Sequence, residues 1–539
     1  MFETIFRTPD FVMIENAEAK RAAVGSNTFV FRDIRVTCEK RQDRIAVFVE
    51  SLATLVSRIR LRWRFRETLR GMVLGDAWER AYGDLEWTCV NPFRSLPWYA
   101  LVHDGIATAG YGVMVRPGAI CSWQIDPEGV TLWLDVRNGG EGVLLNGRRL
   151  LAARVVSRVY SDMDAFDAAR DFCGRMCSDP LLPPQPVYGS NNWYYASGHS
   201  AAQDILNDAH YMAKLTQGLK NRPYVVIDDG WQQGRCRSNG SFDEVYNGGP
   251  WLPNQRFGNM RALAREMARM GVVPGIWVRL LQDDSEEIPG EWRLESGALD
   301  PSKPEVLEHV RGIVDRLGRW GFKLLKHDFS TYDITGRWGW QMAHEMTGDG
   351  WHFADRTRTT AEIIVDLYKT ILNAAKAHDM LVLGCNAVGH LGAGLMHLNR
   401  VGEDTSGLVW EKTLKHGVNA LACRMPQHRT FFDVDADCMG ISEHIDWKLN
   451  SQWGELLSRS GTSMFISVAP ESLSTEREEA LRRMLAVNSR PREAARPLDW
   501  QETTLPRIWQ IDGETVAFNW HGTRGQRVSF GDAPITEED

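Results

Sequence analysis

Between residues 187 and 485, short apolar runs alternate with amphipathic stretches, and this alternation limits the fold more than any other feature of the chain. Eight runs read as strands: VYGSNNWYY (187–195), PYVVIDD (223–229), VVPGIWV (272–278), FKLLKHD (322–328), MLVLGCN (380–386), HLNRVGED (397–404), FFDVDAD (431–437) and SMFISVA (463–469). The segments between them, such as 200–219 and 259–271, carry apolar residues at helical spacing and are closed by glycines. Eight such strands in one stretch predict a closed (β/α)8 barrel, a TIM barrel. A doubly wound open sheet competes, but no GxGxxG follows the first strand to support it.

The flanks have a different texture. Residues 1–180 contain strand-like runs such as RIAVFVE (44–50), SRIRLRWRF (57–65) and VTLWLDV (130–136), with turn residues in NGGEG (138–142) and LNGRR (145–149). An antiparallel β-sandwich domain is expected there. A helix over 164–177 then leads through LLPPQP (181–186) into the barrel, expected over 181–487. RIWQID (507–512) and TVAFNWH (515–521) make 488–539 a small β domain that ends in acidic residues. The expected class is therefore multidomain α/β.

Composition removes several partners. A formal charge of −8 without a long basic run argues against nucleic acid, and no apolar stretch is long enough for a membrane span. Asp10 and Glu15 interrupt any secretion signal near the start. The nine cysteines are scattered and odd in number, which suits reduced thiols in a cytoplasm. Cys173 and Cys177 lack histidine or further cysteine partners nearby, so they read as a structural pair on a helix and no metal is expected. A neutral small molecule is the expected partner.

Four carboxylate-bearing segments carry the chemistry: VVIDDGW (225–231), LLKHDF (324–329), NRVGEDTSG (399–407) and FFDVDADC (431–438). In the first three, an apolar run ends in charge, as where parallel strands deliver catalytic groups at their C-terminal ends. Lys326 and Asp328 are two apart and face the same way, so the ammonium would keep Asp328 ionised, as a nucleophile requires; an internal ion pair is the plainer reading. Two βα units later, Asp404 would share that mouth as general acid/base, at the separation of about 5–5.5 Å that a retaining glycosidase uses. On spacing alone, GEDTSG also reads as a helix N-cap. Asp228 and Asp229 would both reach the mouth only if their strand ends there, and would then accept hydrogen bonds from vicinal sugar hydroxyls. Trp193, Tyr194 and Trp277 fall at strand ends, where aromatic faces pack against a sugar ring or fill core.

The ordered set NNWYY, VVIDDGW, PGIWV, LLKHD, GCN, NRVGEDT and VDADC resembles the α-galactosidases of glycoside hydrolase family 36, across the barrel and the general layout of the chain. The resemblance implies that Asp328 is the nucleophile and Asp404 the acid/base, rather than its neighbour Glu403. It implies substrate contacts from Trp193, Tyr194, Asp228, Asp229, Trp277, Lys326, Cys385 and Arg400, and no metal or organic cofactor. Two departures stand out: His327 lies between Lys326 and Asp328, and Arg279 follows the third strand's tryptophan. Arg279 is expected to pair with Glu403 or a neighbouring aspartate, an anionic substrate being the alternative. The activity implied is exo-hydrolysis of terminal α-galactosides by double displacement. Raffinose-synthase-like galactosyl transfer, a related sugar such as α-N-acetylgalactosamine or α-glucose, and a catalytically silent sugar-binding protein remain as alternatives. In the loop over 332–352, Trp338, Trp340 and Trp351 read as a lid, a subsite wall or a satellite core. Assembly into a homo-oligomer is left open.

Overall fold

The computed structural model describes residues 2–16, 20–23, 26–237, 241–244 and 246–521; the acidic end of the C-terminal segment lies outside the described residues. Eight parallel strands close into a barrel in chain order: β1 (Tyr188–Asn191), β2 (Tyr224–Ile227), β3 (Val273–Val278), β4 (Leu324–His327), β5 (Leu381–Gly384), β6 (Leu398–Arg400), β7 (Asp433–Ile441) and β8 (Ser463–Val468). Each expected run overlaps one of them, although β7 runs on past its expected end at 437 to Ile441, and the pairing of β1 with β8 excludes the open sheet. Inner faces meet across the barrel and outer faces meet helices, so a strand such as LLKH in β4 is buried throughout. Most of the strands are shorter than the runs that announced them. Residues 192–195, 228–229 and 401–404 lie beyond the last ladder pairs, in the connections that leave the rim.

The surrounding helices carry ordinary boundary chemistry. Pro304–Trp320 has Pro304 in its first turn and stops at Gly321 in the left-handed region (φ 106°). Thr360–Lys376 opens with a capping box between Thr359 and Glu362. One crossover is irregular: β5 and β6 are joined by only the short helix Gly389–Gly392. The N-terminal domain docks there. His390 stacks on Trp98 at 5.1 Å, donates from Nε2 to the Val113 carbonyl (2.9 Å), and its own carbonyl accepts the Arg116 N–H (3.0 Å).

That domain pairs a six-stranded with an eight-stranded antiparallel sheet. In Arg58–Arg64, Ile59, Leu61 and Trp63 are fully buried while the arginines alternate outward. The helix Ala165–Met176, capped by Asp164, carries Cys173 and ends at Cys177; both are buried free thiols. At the other end, Arg496–Pro497, Ile508–Ile511 and Glu514–Ala517 form a three-stranded antiparallel sheet. The segment after it meets the barrel side where the Trp410 indole donates to the Trp520 carbonyl (2.9 Å). Among the described residues, no helix is long and apolar enough to cross a membrane, and no group of three or more His, Cys, Asp or Glu is arranged to hold a metal ion.

Candidate active site

The C-terminal ends of the strands surround a cavity of about 170 Å³. Pockets for drug-sized ligands run to roughly 300–1,000 Å³, so this one suits a compact molecule. Of the candidate residues, Trp193, Tyr194, Asp228, Asp229, Trp277, Lys326, Asp328, Arg400 and Asp404 line it. Cys385 does not. It is buried beneath the wall, where its thiol bonds Asp328.

On the β2–β4 side the register sets Ile227 opposite Ile276, and Trp277 opposite Lys326, so Asp228, Trp277 and Lys326 come level at the rim. The Lys326 ammonium pairs with Asp228 (2.7 Å), not with Asp328 as the KxD spacing suggested. The Asn191 amide donates to the same oxygen (2.6 Å). Burial is the largest single influence and pulls the Lys326 ammonium down, but Asp228 and the other acidic groups around it together outweigh it and leave the pKa well above its ordinary value. Asp229 turns the other way, toward Gln232 (2.6 Å) and Arg235 (3.2 Å), and burial lifts it to about 6. Gly230 makes that turn feasible: at φ 113°, a Cβ would lie 2.3 Å from the Gly198 carbonyl oxygen.

Asp328 is held by donors from three directions. The Trp277 indole donates to Oδ2 (3.1 Å), while the backbone N–H groups of Phe329 (2.7 Å) and Asn386 (3.0 Å) donate to Oδ1. Phe329 adopts φ 62°, unusual for an aromatic residue, and so folds its N–H back onto the carboxylate. Burial would raise this carboxyl. The Arg80 guanidinium, then Lys326 and the hydrogen bonds from Trp277 and Cys385, outweigh it and hold the pKa at about 2.

The β6–β7 side is organised around Arg400. Its guanidinium reaches Asp404 (3.1 Å), Asp435 (3.2 Å) and Asp437 (2.7 Å). The register between β7 and β8 shifts between Asp435 and Cys438, and Asp437 takes φ 74°. This bulge re-aims Asp437, which accepts hydrogen bonds from Tyr194 Oη and from the N–H and hydroxyl of Thr405 (2.8 and 3.0 Å). Gly402 lets the chain pass beneath a seven-residue π-helical segment, Thr413–Asn419, since a Cβ there would meet the His416 carbonyl oxygen at 1.9 Å. His416 Nδ1 in turn donates to the Asp404 carbonyl (2.7 Å). Although 46% of the Asp404 side chain opens to the cavity, desolvation deep in the mouth raises its pKa above the usual carboxylate range. Ser406 closes the turn that follows, accepting from Leu408 (2.9 Å) and Val409 (3.0 Å), but the next helix, Trp410–Lys412, starts after Val409 without a side-chain cap, so GEDTSG is a rim segment and not a helix N-cap.

Several expectations need correction. Trp193 and Tyr194 sit on the short helix Trp193–Ala196 beyond β1, not on the strand itself. Of the three loop tryptophans only Trp338 lines the cavity; Trp340 is 62% exposed and Trp351 packs on Phe353. The ion pair expected for Arg279 does form, with an aspartate rather than with Glu403: it meets Asp333 (2.6 Å) and lies over the Phe329 ring (4.2 Å). His327 is fully buried against Tyr368, and desolvation lowers it to about 4, so it is a neutral packing residue. Five cavity residues have no assigned part in the reading of the sequence: Arg80, Asn191, Asn247, Phe329 and Asp437. Asp437 lay within a segment singled out for its carboxylates. Arg80 comes from the N-terminal domain, and no motif announced it.

No protein-family model and no curated protein matches the sequence. Solved structures do match. The chain is similar to an α-galactosidase from Thermus thermophilus in complex with p-nitrophenyl α-D-galactopyranoside, with 16% identity and a TM-score of 0.60 over 94% of this chain and 99% of that one. It is similar to the family 36 α-galactosidase AgaB from Geobacillus stearothermophilus, with 13% identity and a TM-score of 0.58 over 90% of this chain and 75% of that one. AgaA from the same organism, as a variant in complex with 1-deoxygalactonojirimycin, matches at 13% identity and a TM-score of 0.57 over 90% of this chain and 73% of that one. The likeness is one of fold: the barrel with its N-terminal antiparallel domain and small C-terminal sheet is the family 36 architecture.

Proposed function

We propose that the chain is a retaining, exo-acting α-galactosidase that hydrolyses terminal α-D-galactosides with two aspartates. One observation carries this reading: two carboxyls line one small cavity in environments that push their acidities apart, Asp328 down and Asp404 up. Divergence of that kind separates a nucleophile from a proton donor. In the first step the Asp328 carboxylate attacks the anomeric carbon as the bond to the aglycone oxygen breaks, and Asp404 gives that oxygen its proton. In the second, Asp404 takes a proton from water, whose oxygen displaces Asp328 from the sugar.

The remaining walls suit a neutral sugar. Asp228, beside Lys326, and Asp229, beside Arg235, offer charged acceptors to hydroxyl groups, and Trp193, Tyr194 and Trp277 supply aromatic surface. Arg400 orients Asp404 by its 3.1 Å contact. A cavity of this size favours one terminal ring over an internal stretch of polymer. The similar structures hold p-nitrophenyl α-D-galactopyranoside and stachyose, which favours galactose as that ring and a small glycoside or oligosaccharide as substrate. All nine cysteines are free thiols, which agrees with a reducing cytoplasm.

The test is release of nitrophenol from a panel of α-linked nitrophenyl glycosides by the wild type and by Asp328→Ala. The α-galactoside is expected to turn over, to fall by at least about 10³-fold in the variant, and to return with azide as the β-galactosyl azide. Silence of the wild type across the panel would sink this reading.

A further inference from the structure

The segment 76–82 joins two strands of the N-terminal domain, Met72–Gly75 and Thr88–Cys89, yet its backbone bonds to the barrel. The Ala81 N–H donates to the Val401 carbonyl (2.8 Å) and the Glu403 N–H donates to the Ala81 carbonyl (2.8 Å). Ala81 and Gly402 thereby pair in parallel just beyond the end of β6. Asp76 fastens one end of this strap to Arg424 (2.8 Å) and Gln427 (3.0 Å). Glu79 fastens the middle by accepting the Gly339 N–H (2.8 Å) and the Asn386 side-chain amide.

What the strap delivers is Arg80. This guanidinium, 4% exposed, lies 3.0 Å from Glu403, 3.7 Å from Asp404 and 5.3 Å from the Trp338 ring centre. Glu403 also accepts the Asp404 backbone N–H (2.9 Å), so its carboxylate holds the peptide from which the Asp404 side chain springs. In the two-aspartate reaction neither Arg80 nor Glu403 exchanges a proton or a bond, although the Arg80 charge also helps to keep Asp328 ionised.

We propose that Arg80 and Glu403 are positioning residues for Asp404, so that the aglycone's proton is held by two adjacent carboxyls bridged by one guanidinium from another domain. The inference rests on the reading of Asp404 as proton donor. A carboxylate next to Asp404 disfavours its ionisation and a guanidinium beside both favours it, so the pair titrates together. Burial pushes both carboxyls up and Arg80 draws both down. The other groups facing them are Arg400 and Lys326, which favour ionisation, and Asp437 and Glu79, which oppose it. Tyr82, Tyr194 and His416 also face the pair, but burial raises the two phenols and lowers the imidazole, which keeps all three neutral. Exchange of Arg80 or Glu403 leaves this surrounding set in place.

Glu403→Gln and Arg80→Gln therefore act in opposite directions. The pH profile of kcat/KM is expected to lose its basic limb about one pH unit earlier in Glu403→Gln, and about one unit later in Arg80→Gln. Arg80→Gln is also expected to lose at least about tenfold more turnover on methyl α-galactoside, whose leaving group needs a proton, than on the p-nitrophenyl glycoside. Arg80→Lys should recover part of that difference. Basic limbs that stay put in both variants, or losses equal for the two leaving groups, would overturn the inference even if activity fell. An Asp404→Ala enzyme with full activity on both substrates would remove the proton-donor reading itself, and this inference with it.

Discussion

The hydrogen bonds to Asp328 all come from the barrel, whereas Asp404 stands where three distant chain segments meet. Trp277 on β3, Phe329 just after β4 and Asn386 just after β5 supply the donors to Asp328. Around Asp404, the end of β6 contributes Arg400 and Glu403, the bulge in β7 contributes Asp437, and the N-terminal strap contributes Arg80. The crossover between β5 and β6 lacks a full helix, and the N-terminal domain covers that opening. As the proposed nucleophile, Asp328 needs only to stay ionised, and the charges of Arg80 and Lys326 together with hydrogen bonds from the barrel secure that. The proton donor proposed at Asp404 must be poised between two states, and opposing charges from several segments set that balance.

The largest test of this contrast is Arg400→Met. It removes the one cation that Asp404, Asp435 and Asp437 share within 3.2 Å, and leaves Asp435 and Asp437 buried. Loss of one partner from such a buried cluster costs about 3–5 kcal/mol, so thermal unfolding should shift down by several degrees and turnover should fall with it. An unchanged melting temperature would mean that the β6–β7 side does not depend on its charge pairing. Next in size is Asp76→Asn, at a residue that does not line the cavity. It weakens charge-assisted bonds between the strap and Arg424, at a cost of about 1.5–3 kcal/mol. Turnover of substrates with poor leaving groups should fall more than that of nitrophenyl glycosides. Equal losses would show the strap acting on stability alone, and the contrast between the two sides would fail.

The two sides also differed in how far they could be read from sequence. Buried parallel strands are apolar runs that end in charge, so all eight barrel strands, and with them the positions of Asp228 and Asp328, were visible in the chain. Asp404 was legible by the same logic, at the end of the run over 397–404. The bulge in β7 was hidden, because strict alternation sends Asp433, Asp435 and Asp437 to one face while the shifted register turns Asp437 into the mouth. Arg80 was hidden more deeply. In WERAYGD (78–84) nothing separates a strap that docks on another domain from an ordinary loop between sheet strands, since docking depends on contacts distant in sequence. The short β5–β6 crossover left a faint trace in VGHLGAGLMHL (388–398), which is apolar without a polar face because the N-terminal domain covers it.

Trp277→Phe gives the smallest and most selective test, because it touches the Asp328 side alone. Phenylalanine keeps the ring against Trp251 and Phe329 but deletes the indole N–H that donates to Asp328 at 3.1 Å. A hydrogen bond to a charged acceptor contributes about 1.5–3 kcal/mol when fully formed, and two backbone donors remain, so a loss of about tenfold in kcat is expected. The indole bond is one of the influences that hold the Asp328 pKa at about 2, so its removal raises that pKa. Because the nucleophile works only when ionised, the acid limb of the pH profile should move toward neutrality while the basic limb, set by the Asp404 cluster, stays in place. Movement of both limbs together would mean that the two carboxyls titrate as one unit across the cavity, and that the division between a locally built side and a jointly built side does not hold.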